Sequence, residues 1–395
     1  MEATARTRSR RISPAFRQTE RVSPLELFFD LVFVLAITQC TALMADNPTW
    51  EGIGQGLLVL VLLWWAWVGY AWLTSVVDPD DGAIRAVIFG AMVALLIVSI
   101  CVPGAFEDLA LEFALAYAAV RLAHIGVFWI ASVDDPGFRR STTGLGIGTA
   151  VGATLLITGA LLGGTWQAVL WVLAAVLDIS EPYLFAPEGW KLAPEHFAER
   201  HGLIVIIALG ESIVAIGAGA EVHLSVGIAI AAAAGILLTC AMWWTYFDVV
   251  AIVAGRRLAR AEAGRVRNEM ARDSYSYMHF VMVAGIVLVA LGLKKTIGDV
   301  DHPLKTVPAF ALLGGLGLYL LGHVAFRFRH VHTINRQRLV LGLALFALVP
   351  LATEVDSVIA VCALTLVLWA MIAFETRSYG EGRRELRARV SAGEI

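Results

Sequence analysis

Two carboxylates lie inside the first apolar stretch of the chain, residues 22–38, where a charged side chain is costly. Glu26 and Asp30 are four residues apart, so on a helix they lie on one face. Thr41 falls near the same face, because eleven residues make almost three whole turns. Lipid disfavours such a polar stripe. We therefore expect it to face the protein interior or a water-filled cavity.

A second unusual stretch covers residues 199–217 and carries Glu211 followed by Ser212. Glu211 is twelve residues past Glu199, about 18 Å along a helix that rises 1.5 Å per residue. This depth is close to the bilayer midplane. Small residues share its helix face and allow another helix to approach closely. A carboxylate at this position needs a proton or a polar partner.

Candidate partners lie in the fourth apolar segment, where Arg121 and His124 share one helix face. Counted from the inner end of that segment, Arg121 lies about 15 Å deep and His124 about 10 Å deep. Asp30 lies at about 9–10 Å on the same scale. Depth alone therefore predicts that Arg121 pairs with Glu211 and that His124 pairs with Asp30.

Two interpretations of these residues stay open. Buried ion pairs can simply lock helices together, or the same groups can line the path of an ion or a small solute. For Glu26 the structural interpretation is favoured, since it lies in a first helical turn that Ser23 can cap.

Other polar residues are interpreted as structural. Asp178 and Glu181 precede Pro182 and are expected at a helix end, and His323 is expected at the membrane interface. Arg200 is counted among the basic residues that anchor a helix at the inner surface.

The composition is that of a membrane protein. Of 395 residues, 58% are hydrophobic and 16% are charged, against roughly 45–50% and about 25% in soluble domains. The net charge of −3 indicates no nucleic-acid partner. The four cysteines lie in apolar blocks without paired spacing, which indicates packing rather than disulfides or metal ligands. No nucleotide-binding loop or nucleophile elbow occurs, so we expect no enzymatic activity, catalytic residue, cofactor or metal.

The apolar blocks are about 20 residues long and predict an all-α polytopic membrane protein. We expect about twelve transmembrane helices, in two parallel six-helix repeats. Residues 1–22 form a basic cytoplasmic tail and 23–184 the first half; 185–251 and 274–376 form the second half, 252–273 a basic cytoplasmic loop, and 377–395 a C-terminal tail. The predicted spans are 25–45, 54–77, 84–103, 108–131, 142–163, 165–184, 199–220, 224–251, 274–294, 306–327, 337–352 and 354–375.

The distribution of basic residues fixes the expected orientation. With the N-terminus inside, 26 of the 30 Lys and Arg residues fall in inner segments. One missed span would invert everything after it and remove this asymmetry. An even number of spans with both termini in the cytoplasm, in a bacterial cytoplasmic membrane, is therefore expected.

The two halves carry matching motifs in the same order. Residues 62–67 resemble 241–246, residues 92–94 resemble 282–284, and residues 122–126 resemble 321–325. Six spans per half is an even number, so both halves would insert the same way up. The repeat places a two-fold axis along the membrane normal, with a site between the halves.

Residues 23–34, Ser-Pro-Leu-Glu-Leu-Phe-Phe-Asp-Leu-Val-Phe-Val, and 199–212, ending in Leu-Gly-Glu-Ser, resemble the bacterial low temperature requirement protein A family. His201 stands where that family more usually has an aromatic residue. The resemblance covers about residues 18–375. It implies a bacterial multi-span membrane protein associated with growth in the cold, without a settled biochemical activity.

A weaker resemblance is to endolysosomal potassium channels and their bacterial relatives, whose first helices carry Arg followed by Phe-Ser-Asp. Here Arg21 precedes Phe28-Phe-Asp30, and the serine is missing.

The leading hypothesis is a transporter or channel for an ion or small solute that uses Glu26, Asp30, Arg121, His124, Glu211 and Ser212. In a proton-coupled version, Asp30 or Glu211 would accept the proton. The alternative is a non-transporting protein of cold or stress adaptation that contacts lipids or partners. An oligomer stays open.

Overall fold

The computed structural model describes residues 21–184, 190–220 and 225–391. Within these residues the regular secondary structure is helical, apart from one isolated antiparallel β-bridge between Pro303 and Asp356. The predicted all-α fold is confirmed. Residues 1–20 of the predicted N-terminal tail and residues 392–395 of the predicted C-terminal tail lie outside the described residues.

Sixteen α-helices occur in the described part of the chain. In order they are α1 Pro24–Asp46, α2 Trp50–Val76, α3 Gly82–Cys101, α4 Ala110–Ala131, α5 Pro136–Leu162, α6 Gly164–Leu184, α7 Pro194–Gly219, α8 Val226–Phe247, α9 Val250–Arg260, α10 Arg265–Met270, α11 His279–Gly298, α12 Thr306–Ala309, α13 Gly315–Val331, α14 Arg336–Ala347, α15 Val349–Ala352 and α16 Ser357–Ser391. A 3₁₀ turn, Val102–Gly104, follows α3, and π-helical segments Ala271–Met278 and Phe310–Gly314 precede α11 and α13.

Eleven segments of the described chain are long and apolar enough to cross a bilayer. The predicted span 337–352 is instead divided into α14 and α15, with Pro350 in the first turn of the second piece. Proline cannot donate the helical hydrogen bond and clashes with the preceding turn, so the helix breaks here. Because α14 packs on α13 and α15 packs on α12, the pair still runs antiparallel to the whole α12–α13 rod.

Side-chain caps fix where several helices begin. Ser23 and Glu26 form a reciprocal capping box at the start of α1, with Pro24 in its first turn.

Gly163 and Gly164, with φ of 68° and 52°, make the tight connection between α5 and α6. Only glycine adopts such angles without strain. Other caps whose side chains accept a backbone hydrogen bond are Thr49, Asp81, Asp135, Ser225 and Asn335.

The helices α1–α5 and α7–α14 repeat one order of neighbours. In the first set α1 packs on α2 and α3, α3 on α4, and α4 on α5. In the second set α7 packs on α8 and α11, α11 on α13, and α13 on α14. Helices α1 and α7 pack on each other. The domain boundaries and the repeat stay predictions. We call the end of the bundle at which α1 and α7 begin the first face, and the other end the opposite face.

Candidate functional site

The structure separates the predicted site residues into three groups. Glu26 and Asp30 join His196 and Arg200 in what we call the α1–α7 network. Arg121 and His124 lie with Asp178 and Glu181 in what we call the cavity cluster. Glu211 and Ser212 lie further along α7 toward the opposite face. Each group has its own partners.

Arg200 is the counter-ion of Asp30 in the α1–α7 network. Its Nη2 lies 2.5 Å from Asp30 Oδ1, which also accepts a 2.8 Å hydrogen bond from Trp67 Nε1. The predicted pair between His124 and Asp30 is therefore wrong. It failed because α7 begins at Pro194 rather than at residue 199, which carries Arg200 into the bundle, where it is 1% exposed.

Glu26 is held by the same network. His196 Nε2 lies 2.8 Å from Glu26 Oε1, and Arg200 Nη1 lies 3.6 Å from that oxygen. The second carboxylate oxygen accepts the backbone N–H of Ser23 at 2.8 Å. Thr74 Oγ1 accepts from Arg200 at 2.9 Å. These groups are buried and joined to one another across α1, α2 and α7, an arrangement typical of an interhelical lock.

The pairs in the α1–α7 network join equivalent positions of the two helices. Glu26 contacts His196 and Asp30 contacts Arg200, and each pair is separated by 170 residues. Thr41, whose hydroxyl lies close to Glu211, is also 170 residues away from it. Equal positions meet in this way when two like elements face each other across a two-fold axis.

The sequence contains a signal for Arg200 and His196 that the depth calculation missed. Both helices begin with proline, and both place an ionisable side chain at the third and seventh helical positions. On α1 these side chains are acidic and on α7 they are basic. Aligning α1 with α7 predicts the ion pairs directly.

Arg121 pairs with carboxylates of α6 rather than with Glu211. Its Nη2 lies 3.2 Å from Asp178 Oδ1 and 3.4 Å from Glu181 Oε2, and its Nη1 donates to the carbonyl of Trp65 at 3.1 Å. The predicted pair with Glu211 is wrong. Asp178 and Glu181 do lie near the end of α6, which ends at Leu184, but both are at least 97% buried.

A cavity of about 90 Å³ lies against the cavity cluster. Several polar atoms at this site, all buried, form no hydrogen bond with the described part of the chain: both ring nitrogens of His124, Oε1 of Glu181 and Nε of Arg121. Such atoms are rare in folded proteins and call for water or a ligand. The lining residues are Trp65, Val68, Gly69, Trp72, Arg121, His124, Phe128, Ser141, Leu145, Glu181, Pro182, Trp190, Asn268, Arg272 and Ser276.

Glu211 is bound by hydroxyl groups. Thr38 Oγ1 donates to its Oε2 at 2.5 Å, and the hydroxyl group of Thr41, which donates to the carbonyl of Ile37, lies nearby. Lys294 acts on it only through longer-range electrostatics. Ser212 Oγ, also buried, forms no hydrogen bond with the described residues. A buried carboxylate without an ion-pair partner readily takes up a proton.

A further buried ion pair lies in the second half, between α14 and α16. Arg338 holds Glu375 by two parallel hydrogen bonds of 3.0 and 2.9 Å, and its Nη1 lies 3.3 Å from His323 Nδ1. His323 is 1% exposed and is therefore enclosed by protein, while its expected position at the membrane interface stays a prediction. The bidentate geometry satisfies both charged groups.

Comparisons with known proteins agree with the sequence resemblance. The family model described as "Bacterial low temperature requirement A protein (LtrA)" matches residues 21–373. A curated relative, "Uncharacterized protein RA0937" of Rhizobium meliloti (strain 1021), is 29% identical over 388 residues. The alignment covers 91% of this chain and 90% of the relative.

Proposed function

This chain belongs to the bacterial low temperature requirement A (LtrA) family, and on that premise we propose that it transports an ion or a small polar solute across the bacterial cytoplasmic membrane. The proposed path passes through the cavity cluster. The proposed activity is transport alone, without a catalysed reaction. Membership of the family and eleven membrane-crossing segments in the described residues support the location.

One observation carries the proposal: a cavity ends at an arginine, a histidine and a glutamate buried in the membrane-spanning region. Ionisable groups at this depth are expensive, and in membrane proteins they mark substrate and ion pathways. A purely structural cluster would use its hydrogen-bonding atoms on protein partners. Here Glu181, His124 and Arg121 each keep an atom without such a partner, and these three residues line the cavity. Asp30 and Arg200 also keep one such atom each but are not among its lining residues.

The site residues have different proposed roles. Glu181 and His124 contact the solute, and Arg121 holds Glu181 in place. Glu211 is the candidate proton acceptor, because its partners are hydroxyl groups. The α1–α7 network, with Glu26 and Asp30, holds the two halves together.

The alternative is that the protein does not transport and supports cold or stress adaptation through lipid or partner contacts. The α1–α7 network favours it, since that network is buried and its ion pairs join protein groups of three helices, although Asp30 Oδ2 and Arg200 Nε form no hydrogen bond with the described residues. Under this alternative the cavity cluster is a second interhelical lock. Water then forms the hydrogen bonds that its polar atoms do not make with protein groups.

Flux into proteoliposomes tests the proposal. Protons and potassium are screened first, then small polar solutes, with the wild type, Glu181→Gln, and a control, Glu112→Gln. Glu112 is an exposed carboxylate in the first turn of α4, away from the cavity cluster. We expect flux that falls at least tenfold in Glu181→Gln and persists in the control. No flux above empty liposomes for any solute, with folded protein, favours the non-transporting alternative.

A further inference from the structure

The charges around the cavity are arranged as a dipole. At the deep end, Asp178 and Glu181 face the single guanidinium of Arg121, which gives a formal charge of −1. These side chains are no more than 5% exposed. Because Arg121 already donates to both carboxylates and to two other acceptors, its charge is taken up by protein groups. The deep end is therefore suited to a cationic group.

The mouth of the cavity has the opposite balance. Arg272 lines the cavity and shares Asp273 with Arg329, so two guanidinium groups face one carboxylate. These side chains are 13–27% exposed, against no more than 5% at the other end, and on that ground we take this end as the mouth. Arg272 also donates to the carbonyl of Pro182 at 3.2 Å and lies 3.9 Å over the ring of Tyr183, which hold it in place without cancelling its charge. The surplus positive charge of the two arginines suits an anionic group there.

Aromatic side chains line the space between the two ends. Trp65, Trp72, Trp190 and Phe128 all contribute to the wall. Trp72 and Trp190 meet edge to face at 5.9 Å, as do Phe128 and Trp190 at 5.0 Å. Aromatic faces attract cations, and quaternary ammonium groups in particular. An apolar wall with a few converging polar groups is also the usual make-up of a small-molecule site.

We propose that this cavity binds a small zwitterion, such as an α-amino acid or its N-methylated derivative. The ammonium group lies against Glu181, within the aromatic wall, and the carboxylate lies at the mouth beside Arg272. His124 supplies ring nitrogens that no described protein group uses. The inference deepens the proposed function, because it names the solute class for the same site.

Calorimetric titration of the full-length chain in detergent micelles tests the proposal directly. The probes are N,N,N-trimethylglycine, choline, which keeps only the cationic group, and acetate, which keeps only the anionic group. We expect one trimethylglycine per chain, bound at least tenfold more tightly than choline or acetate. Equal binding of choline and trimethylglycine, or no saturable heat with any probe, overturns the proposal.

Two variants check that binding occurs in the cavity. Glu181→Gln removes the deep negative charge and Arg272→Gln removes a positive charge at the mouth. Each is expected to weaken trimethylglycine binding about tenfold or more, while Glu112→Gln binds as the wild type does. If either variant fails to fold, the other and the three-probe comparison still decide. Unchanged affinity in folded variants overturns the placement.

Flux measurements separate this inference from the proposed function. Binding of trimethylglycine without its flux supports the zwitterion site and counts against transport. Flux of protons or potassium without zwitterion binding leaves transport in place and overturns the zwitterion. Absence of both binding and flux removes both proposals.

Discussion

Arg200 is the residue on which the charge balance of the α1–α7 network depends. Arg200→Met leaves Asp30 without its counter-ion and removes a basic partner of Glu26, which keeps His196. We expect a loss of about 3–5 kcal/mol in the free energy of unfolding, because an uncompensated charge then stays buried. Equilibrium unfolding in mixed micelles, followed by circular dichroism, measures the loss.

The double variant Asp30→Leu/Arg200→Met separates the pair from its individual partners. Removing both charges abolishes the mismatch, so we expect most of the lost stability to return. If the two single effects simply add, Arg200 and Asp30 are not energetically coupled and the lock interpretation is wrong.

Gly148 makes room for Glu181 in the cavity cluster. A Cβ at this position would lie 2.0 Å from Glu181 Oε1 and 2.9 Å from its Cγ. Gly148→Ala must therefore displace Glu181 from Arg121. We expect a loss of about 1–3 kcal/mol in stability and a fall in solute flux.

Gly90→Ala is the matched control for Gly148→Ala. A Cβ at Gly90 meets no atom within 4 Å, so stability should not fall and should rise by up to about 1 kcal/mol, because alanine favours a helix over glycine. Thermal unfolding and proteoliposome flux of the two variants are compared side by side. Wild-type behaviour of Gly148→Ala would show that the position of Glu181 is not critical.

Sequence reasoning identified the ionisable residues more reliably than their partners. Glu26, Asp30, Arg121, His124 and Glu211 are all buried, as their place in apolar segments predicts. Their pairing depends on helix neighbours and on helix starts, and an error of five residues moves a side chain by about 7.5 Å along a helix. Depth alone therefore assigned the wrong partners.

Helix α5 begins with a charged cap whose effect depends on pH. Asp135 Oδ1 accepts the backbone N–H of Phe138 at 3.0 Å, and Lys191 lies 3.0 Å from the other oxygen. The hydrogen bond, followed by Lys191, holds the pKa of Asp135 below its ordinary value. Asp135→Ala should cost about 1 kcal/mol near neutral pH, a typical loss for a removed cap.

The sign of the pH effect follows from the lowered pKa. The charge of Asp135 stabilises the folded state above the unfolded pKa of about 3.9 and is lost as the pH falls through the folded value. Asp135→Asn keeps an oxygen acceptor but removes the charge. Its stability deficit should therefore be present at pH 6 and shrink below about pH 4. A deficit that does not change with pH would mean that the charge contributes nothing.

The exact starts and breaks of the helices could not be predicted from hydrophobicity. Hydrophobicity located every long span, but α5 and α7 begin five or six residues before the predicted starts at 142 and 199. Pro136 and Pro194 open these helices in polar sequence, where an apolar window gives no signal. The break at Pro350 is likewise a local backbone effect that a hydropathy average smooths over.

At the scale of the whole molecule, the α1–α7 contact relates the two sets of helices. Equal positions meet at this contact, with acidic groups on one helix and basic groups on the other. Pairing of α1 with α7 brings opposite charges together, whereas pairing of α1 with a second α1, or of α7 with a second α7, would bring like charges together. The charges therefore favour contact between α1 and α7. The cavity cluster, in contrast, belongs to α4 and α6, with its mouth at the π-helical segment Ala271–Met278. The proposed site thus borders both predicted halves.

The orientation of the bundle determines which compartment supplies the cavity. The excess of Lys and Arg predicts that the first face, where the cavity has its mouth, is cytoplasmic. Two single cysteines test this in a variant without the four native cysteines. Asp134→Cys lies on the first face between α4 and α5, and Glu354→Cys lies on the opposite face between α15 and α16; both side chains are exposed. A membrane-impermeant maleimide should label only Glu354→Cys in intact cells.

Permeabilised cells supply the control, since both cysteines should then react to the same extent. Labelling of Asp134→Cys alone in intact cells would invert the molecule and place the mouth of the cavity on the outer side. The outcome bears on transport because a cavity open to the cytoplasm is loaded from inside. Arg272 in its wall, with Arg329 on the neighbouring Asp273, would then attract anionic groups of cytoplasmic solutes, with a strength that falls as salt rises.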